Sequence, residues 1–317
     1  MTDFTYDIDA DGVAIITWDV VGKSMNVLSR EAFGDLEACI DEVLGNDDIK
    51  GAVITSGKDS FAGGMDLNVL GSIRGDAGDE PAQALFDFTM MGHTFLRKIE
   101  RAGMDPKTNK GGKPIASALP GTALGIGLEL PLATHRIFAA DNPKAKIGLP
   151  EIMVGIFPGM GGTTRFIRMM GAMAASPFLL QGKMVEPKKA KAAGIIHEVV
   201  DDPVASATEW VLTATDKDIL KPWDAKGYKM PGGDPYHPQG FMTYVGASAM
   251  VNANTWGVYP AAKALLSACY EGALVPFDTA LKIEARWFTN VLMNPSSSAM
   301  IQSLFINKEA LEKGANR

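Results

Sequence analysis

Residues 114–140, PIASALPGTALGIGLELPLATHRIFAA, decide the fold class of this chain. Two short apolar runs, 114–119 and 135–140, have the length and composition of strands that are buried on both faces of a sheet. Between them, a turn at Pro120-Gly121 is followed by residues 122–133, which predict a helix. A strand, a helix and a second strand in succession are typical of a parallel sheet, so the sequence predicts an α/β protein.

The alternation of strands and helices extends from this unit in both directions, up to about residue 200. The predicted elements outside the unit are a β-hairpin over 4–18, a helix capped by Ser29 that runs to about Leu44, a strand over 49–56, a helix over 81–100, a helix beginning at Thr163, a helix from Lys188 that stops at Gly194, and a strand over 195–200. This order of elements supports the α/β prediction.

The composition changes beyond residue 200. We predict an α/β body over 1–200, a connection over 201–240 that is rich in Lys, Pro, Gly and Asp from residue 215, and a helical C-terminal section over 241–317. Helical spacing of apolar residues predicts four helices in the last part, over 247–253, 260–271, 276–292 and 297–315.

Composition and charge limit the classes of function. The 317 residues are 46% hydrophobic and 21% charged, with a net charge of -7 and a pI of about 5.2, so a nucleic-acid partner is not expected. Cys39 and Cys269 lie far apart and predict neither a disulfide nor a metal site. Since no apolar run reaches the roughly 20 residues of a membrane helix and no signal peptide is recognisable, we expect a cytoplasmic protein or, after processing, one of an organelle matrix.

Two carboxylates stand among apolar neighbours. Glu129 lies in GLELPL, residues 127–132, and Glu151 lies in LPEIMV, residues 149–154. Burial disfavours the charged form of a carboxyl group, and two such groups around one water molecule would form an acid–base pair. Alternatively, each glutamate caps a helix or pairs with an arginine such as Arg136 or Arg165.

Glycine-rich segments precede two predicted helices. Gly125-Ile-Gly127 and Gly159-Met-Gly-Gly162 place backbone N–H groups at helix N-termini, where they can hold an anion or a developing oxyanion. Gly63-Gly64 permits a backbone path that turns the amide of Met65 into a cavity. Neither helix-opening loop has the third glycine of a dinucleotide fingerprint or the Gly-Lys-Ser/Thr of a P-loop. The glycines alternatively only permit tight turns.

Together these segments resemble the crotonase (enoyl-CoA hydratase/isomerase) superfamily. The resemblance extends over about residues 5–200 and is carried, in order, by KSMNVL at 23–28, FAGGMDL at 61–67, ALGIGLEL at 123–130, LPE at 149–151 and PGMGGTTR at 158–165. It implies an α/β fold built as a crotonase-like ββα spiral, with a helical C-terminal section.

In detail, the sequence is similar to the N-terminal hydratase part of multifunctional fatty-acid oxidation enzymes, the alpha subunits. KPWDAKGY at 221–228 resembles their middle segment, and FINKEALEKGA at 305–315 resembles the helix that precedes their dehydrogenase domain. The resemblance implies that the section 241–317 is the linker to a dehydrogenase domain that this sequence does not contain. Whether the chain is a fragment or a stand-alone protein stays open.

The resemblance assigns the chemistry. Glu129 and Glu151 would be the catalytic pair that holds one water for syn addition across the C2=C3 bond of an enoyl thioester, with Glu129 as base and Glu151 as proton donor to C2. The backbone amides of Met65 and Ile126 would form the oxyanion hole, although the family usually has glycine at the position of Ile126. The amide of Gly159 would orient the water or the acid.

The same resemblance predicts the CoA site and the partners. CoA, which is part of the substrate and not a separate cofactor, would contact Ser24, Met25, Ala62, Gly64, Asp66, Leu67 and Asn68; many relatives carry a lysine where Asn68 stands. The activity implied is that of an enoyl-CoA hydratase in fatty-acid β-oxidation. The alternatives are a 3,2-enoyl-CoA isomerase, or a non-catalytic module that binds CoA thioesters and docks a partner. A homo-oligomer or a complex with a thiolase subunit is expected.

Overall fold

The computed structural model of the chain describes residues 2–76 and 78–315. It forms two compact units that are each discontinuous in sequence. The first consists of Met1–Asp66, Gly92–Gly148 and Met184–Tyr228, and the second of Leu67–Met91, Leu149–Lys183 and Lys229–Arg317. The three-part division at residues 200 and 240 stays a prediction.

The strands among the described residues all belong to the first unit. They are β1 Phe4–Ile8, β2 Val13–Trp18, β3 Gly51–Ser56, β4 Ile115–Leu119, β5 Ala123–Leu124, β6 Arg136–Ala140, β7 Ile147–Gly148 and β8 Glu198–Val200. Six of them form one sheet in the order β1-β2-β3-β4-β6-β8. Only the β1–β2 hairpin is antiparallel among these pairs, so the predicted hairpin and the predicted parallel sheet are both confirmed.

The helices alternate with the strands and then continue alone. They are α1 Arg30–Gly45, α2 Leu67–Asp76, α3 Pro81–Arg101, α4 Ile126–Ala133, α5 Gly162–Leu180, α6 Pro187–Ala192, α7 Pro203–Thr213, α8 Asp216–Ile219, α9 Pro238–Thr255, α10 Pro260–Ala273, α11 Phe277–Met293, α12 Pro295–Ile301 and α13 Asn307–Ala315, with 3₁₀ turns at Glu151–Val154 and Pro222–Asp224 and a π-helical turn at Gln302–Ile306. The predicted helical C-terminal section is confirmed.

Helix α1 shows how local sequence sets an element. Ser29 has extended backbone angles, and its hydroxyl oxygen accepts a hydrogen bond from the amide of Ala32 at 3.0 Å, as an N-cap does. Phe33, Leu36 and Ile40 keep helical spacing and are all buried. The helix therefore begins where the sequence predicted.

A second, shorter ladder gives the first unit its spiral. Each long strand is followed by a brief extended segment, and successive segments pair through Leu28 with Met65, Ala62 with Ala123, β5 with β7, and Ile147 with Val185. Each turn of the chain thus contributes one strand to the large sheet and one short strand to this ladder. Helices follow the short strands, which is the predicted ββα spiral.

The prediction of helix from residue 122 is wrong for its first residues. Ala123 and Leu124 form the short strand β5, and the amide of Gly125 donates to the carbonyl of Gly148 at 3.1 Å. Gly125 then adopts φ 56° and ψ −128°, a conformation that turns the chain, and α4 begins only at Ile126. Pairing with β7, a partner distant in sequence, overrides the local helical pattern.

Helix α7 lies inside the stretch that was predicted to be a connection. Asp202 caps it by accepting from the amide of Ala205 at 3.0 Å. Its buried residues Ala207 and Val211 pack in one cluster with sheet residues such as Val53 and Phe138. This helix therefore covers one face of the sheet. In the part of the chain that the structure describes, no helix is long and apolar enough to cross a membrane.

Candidate active site

The amide of Met65 is directed by the short ladder. The amide of Leu28 donates to the carbonyl of Gly64 at 3.0 Å, and the amide of Asp66 donates to the carbonyl of Leu28 at 3.1 Å. In such a parallel bridge the N–H of the residue between, Met65, points away from its neighbour. Among the hydrogen bonds of the described residues, none uses this amide. Gly64 has φ 123°, which a glycine accommodates best.

The amide of Ile126 lies at the N-terminus of α4. The amides of Leu128 and Glu129 both bond to the carbonyl of Gly125, at 2.7 and 2.9 Å, whereas no bond of the Ile126 amide occurs among the described residues. First-turn amides of a helix have no partner inside that helix. This donor is therefore available for a ligand, as the Met65 amide is. The Ile126 side chain is buried, and the residue carries a backbone N–H as every residue except proline does.

The segments that carry these two amides are in close contact within the first unit. The amide of Leu124 donates to the carbonyl of Ala62 at 3.0 Å. A Cβ atom added to Gly127 would lie 2.7 Å from the Cβ of Ala62, so glycine is required for this approach. The structure thus brings together the predicted oxyanion-hole segments, 62–65 and 125–127.

Glu129 follows directly in α4. The whole helix is buried, and Glu129 is 2% exposed. Arg136, one of the arginines proposed as its partner, pairs instead with Glu198 at 3.0 Å. The role of Glu129 as a catalytic base stays a prediction.

Glu151 opens the 3₁₀ turn of the second unit. The turn ends at Gly155, which has φ 87°, and the amide of Ile156 donates back to the carbonyl of Glu151 at 3.3 Å. The carboxyl oxygen Oε2 is buried and has no hydrogen-bond partner among the described residues. Burial, reinforced by the negative charge of Glu284, raises the pKa of Glu151 to about 7. This carboxyl group therefore holds its proton up to neutral pH, as a general acid must.

Gly159 lies in the loop between that turn and α5. An added Cβ atom would lie 2.5 Å from the ring of Phe288, so the loop packs directly against α11. Gly161, with φ 92°, then caps α5. Whether the Gly159 amide orients water or acid stays a prediction, but the close packing explains why glycine stands there.

Glu284 of α11 was missed by the sequence analysis. It is 1% exposed, and its carboxylate accepts from the amide of Gly161 at 2.6 Å and from the amide and hydroxyl of Thr164 at 2.8 and 2.6 Å. The sequence contained a sign of it, since Glu284 interrupts the apolar stripe Phe277, Leu281 and Phe288 at helical spacing.

Asn26, also missed, organises the predicted CoA-binding segments of the first unit. It is fully buried; its side-chain oxygen accepts from the amide of Val20 at 2.9 Å. Its amide nitrogen donates to the carbonyls of Trp18 and Phe61 at 2.8 and 3.0 Å and to the hydroxyl of Ser56 at 2.9 Å. It thereby joins the ends of β2 and β3 to the segments 24–28 and 61–63.

The remaining predicted CoA contacts have different surroundings. Ser24 is exposed, and Met25 packs on Gly63, where a Cβ atom would lie 2.7 Å from its sulfur. Asp66 forms a long ion pair with Lys23 at 3.8 Å. Leu67 and Asn68 open α2, but their side chains lie outside the described residues.

Two buried histidines accept hydrogen bonds from backbone amides. His135 accepts from the amide of Ile115 at 2.9 Å, and burial lowers its pKa to about 3. His197 accepts from the amide of Ile137 at 3.0 Å, and burial lowers its pKa to about 4. Both rings are therefore neutral hydrogen-bond partners of strands. Within residues 2–76 and 78–315, no group of three or more His, Cys, Asp or Glu side chains could hold a metal ion.

The ββα spiral of the first unit, with two available backbone donors and a buried glutamate, points to a class of protein. Residues 9–217 match the sequence profile of the enoyl-CoA hydratase/isomerase family, and the chain belongs to that family, the crotonase superfamily. It is 30% identical over 305 residues to the fatty acid oxidation complex subunit alpha of Shewanella frigidimarina. That match covers 96% of this chain but 40% of the relative, so the chain spans about two fifths of the curated relatives it matches.

Solved structures of low identity share the fold. An enoyl-CoA hydratase from Thermoplasma volcanium superposes with a TM-score of 0.55 at 21% identity, covering 95% of this chain and 97% of the other. An enoyl-CoA hydratase/isomerase from Mycobacterium paratuberculosis gives 0.57 at 19% identity, covering 86% and 98%. The predicted crotonase-like fold is confirmed, and an acyl-CoA substrate is consistent with the family.

Proposed function

We propose that the chain is an enoyl-CoA hydratase that adds water to the C2=C3 bond of a 2-enoyl-CoA and yields a 3-hydroxyacyl-CoA. The observation that carries the proposal is the carboxyl group of Glu151. Its Oε2 atom is buried without a hydrogen-bond partner among the described residues, and its pKa is raised to about 7. A carboxyl group that holds a proton at neutral pH can deliver it to carbon.

Each residue has one part in the reaction. The water oxygen bonds to C3 while Glu129 takes a proton from that water, and C2 receives the proton of Glu151. Both additions occur on the same face of the double bond. The amides of Met65 and Ile126 donate to the thioester oxygen as it gains negative charge, and one such donor is typically worth about 3 kcal/mol in the transition state. A return of the proton from Glu129 to Glu151 completes the cycle.

Isomerisation of a 3-enoyl-CoA to a 2-enoyl-CoA is the second candidate. The pKa of about 7 at Glu151 favours it, because such a group both accepts and releases a proton near neutral pH. Removal of a proton from C2 and delivery of a proton to C4 needs no water. Glu129 would then be dispensable, which distinguishes the two reactions.

Turnover of two substrates tests the proposal. Loss of the ultraviolet absorbance of crotonyl-CoA and of a longer 2-enoyl-CoA reports hydration, and a gain of absorbance with a 3-enoyl-CoA reports isomerisation. We expect wild type to hydrate, and Glu129→Gln and Glu151→Gln each to lose about 10²–10⁴-fold in kcat. The exposed Glu42→Gln is the matched control and should retain full activity.

Other results would contradict the hydratase proposal and indicate a different function. Hydration that survives in Glu129→Gln contradicts the role of that residue. Isomerisation without hydration by wild type selects the second candidate. A chain that binds the thioester and turns over neither substrate is a non-catalytic binding module, as the sequence also allowed. We also propose that the chain forms a homo-oligomer or binds a thiolase. The mass of the purified protein in solution, measured alone and after mixing with a thiolase, tests both.

A further inference from the structure

Helix α11 holds the loop that follows Glu151. Phe288 packs edge-on against Phe157, with ring centroids 5.6 Å apart, and its ring occupies the space beside Gly159. One turn earlier, Glu284 accepts the bonds from Gly161 and Thr164. The loop 157–164 is thus fixed at both ends by residues four apart on one face of one helix.

Burying the carboxylate of Glu284 costs free energy unless hydrogen bonds compensate for it. A carboxylate that is 1% exposed loses its hydration, and only well-formed hydrogen bonds offset that loss. Here three donors at 2.6–2.8 Å do so, two of them first-turn or capping amides of α5, where a negative charge is also favoured by the helix dipole. An apolar residue in this place would leave those amides unsatisfied.

The 3₁₀ turn that bears Glu151 is held by the same section of chain. The hydroxyl of Tyr259 donates to the carbonyl of Ile152, inside the turn. Gly155, which ends the turn, lies against Met300 of α12, where an added Cβ atom would be 2.8 Å from the Met300 Cβ. Residues 259–301 therefore hold both the turn and the loop of the second unit.

We propose that Glu284 is a positioning residue that fixes the loop 157–164, which follows the turn bearing Glu151, and thereby sets the surroundings of that acid. The proposal rests on the proposed function, since it deepens the role of the same acid. Glu284 touches neither substrate nor water in this scheme; it acts on the acid through the loop and through its negative charge. The charge of Glu284 is one of the causes that raise the pKa of Glu151.

Other charged and titratable groups lie on the elements around Glu284. The elements packed against α11 are α5, α10 and α12. Arg165 and Arg168 lie on α5, Lys263, Tyr270 and Glu271 lie on α10, and α12 carries no titratable side chain. Cys269 of α10 is buried, and its raised pKa keeps the thiol neutral. Glu151 is the acid whose pKa, about 7, is raised in part by the charge of Glu284.

The test compares variants by the pH dependence of kcat, beginning with two substitutions of Glu284. Glu284→Gln keeps the shape but removes the charge and presents an NH₂ group to amide donors. We expect kcat to fall between about 10- and 100-fold, with KM within about threefold, because loop misplacement affects the reaction more than binding. The basic limb of the profile should shift to lower pH, since Glu151 loses a neighbouring negative charge. Glu284→Asp should restore that limb in part.

Two further variants separate charge from position. Thr164→Val removes one bond to Glu284 and keeps the carboxylate, so kcat should fall while the basic limb stays in place. Glu271→Gln, which alters a carboxylate paired with Arg286 at the surface of α10, is the matched control and should leave both unchanged. If Glu284 had a purely structural role, Glu284→Gln would lower the yield of folded enzyme, but the basic limb of the pH profile of kcat would not move.

A measurement without turnover keeps the proposal testable if wild type proves inactive. In protein labelled with ¹³C at the glutamate carboxyl carbon, the resonance of Glu151 is identified by its loss in Glu151→Gln. We expect it to titrate near pH 7 in wild type and at lower pH in folded Glu284→Gln. An unchanged midpoint, or a Glu284→Gln enzyme with wild-type kcat and limb, overturns the proposal. Inactive wild type with a shifted midpoint instead overturns only the hydratase function.

Discussion

The ammonium nitrogen of Lys221 lies 2.9 Å from the carbonyl oxygen of Leu132, near the C-terminal end of α4. The same nitrogen lies 2.6 Å from the carbonyl oxygen of Thr134. The last carbonyls of a helix have no partner inside it, and a cation there also complements the helix dipole. Lys221, which belongs to the segment KPWDAKGY, therefore stabilises the end of the helix that carries Glu129.

Replacing Lys221 by methionine tests this contact. Methionine keeps the length of the side chain but leaves two carbonyls without their charged donor, so we expect the free energy of unfolding to fall by about 2–3 kcal/mol. Urea denaturation measures it. Lys217→Met, at an exposed position of α8, is the control and should change the stability by less than about 0.5 kcal/mol. Equal effects of the two substitutions would contradict the capping role of Lys221.

Asn26 should be critical for the stability of the first unit. Asn26→Ala leaves the amide of Val20 and the carbonyls of Trp18 and Phe61 without their partner, and each buried unsatisfied group costs about 1–3 kcal/mol. We therefore expect a loss of at least about 3 kcal/mol in urea denaturation. Asn252→Ala, at an exposed position of α9, provides the comparison. A loss at Asn26 no greater than at Asn252 would show that water replaces the asparagine.

Elements with local causes were predictable, and those with distant partners were not. The cap at Ser29 and the apolar spacing predict α1 from one short stretch of sequence. The apolar composition predicts the strands β3, β4 and β6. Strand β5 has only two residues and exists because β7 pairs with it. The helical pattern of residues 122–133 therefore misplaced the start of α4.

The same distinction holds for the candidate site. The sequence indicated Glu129, Glu151 and the glycine segments because each lies within a short, contiguous motif. Glu284 acts on Thr164 across 120 residues of sequence, and Asn26 reaches Phe61 across 35. Such pairings depend on how helices and loops pack, which the spacing of residues within one element does not encode. The sequence thus indicated the reacting groups but missed the side chains that hold them.

Gly127 should be indispensable for activity and only moderately important for folding. The added methyl group of Gly127→Ala would lie 2.7 Å from the Cβ of Ala62 and 2.9 Å from its carbonyl oxygen. The segments bearing the Met65 and Ile126 amides must then separate, and loss of one oxyanion donor typically lowers kcat by about 10²–10³-fold. Gly34→Ala, where no atom lies within 4 Å of the added carbon, is the control for activity. Wild-type kcat in Gly127→Ala would refute the oxyanion assignment.

The raised pKa of Glu151 should make the acid a source of instability at neutral and alkaline pH. In the unfolded chain this carboxyl group ionises near its ordinary value of 4.5, whereas in the folded protein it holds its proton to about pH 7. The folded state therefore binds more protons between these values. By linkage, this contribution to stability is fully present below pH 4.5 and is lost as the pH rises to about 7.

Glu151→Gln removes the titration and should reverse that loss. We expect the variant to gain about 2–3 kcal/mol of unfolding free energy relative to wild type between pH 5 and pH 8, while it loses activity. Urea denaturation of both proteins at the two pH values measures the gain, and Glu42→Gln, exposed on α1, should show none. If wild type and Glu151→Gln changed in parallel with pH, Glu151 would be ionised in the folded protein. It could not then serve as the proton donor at neutral pH.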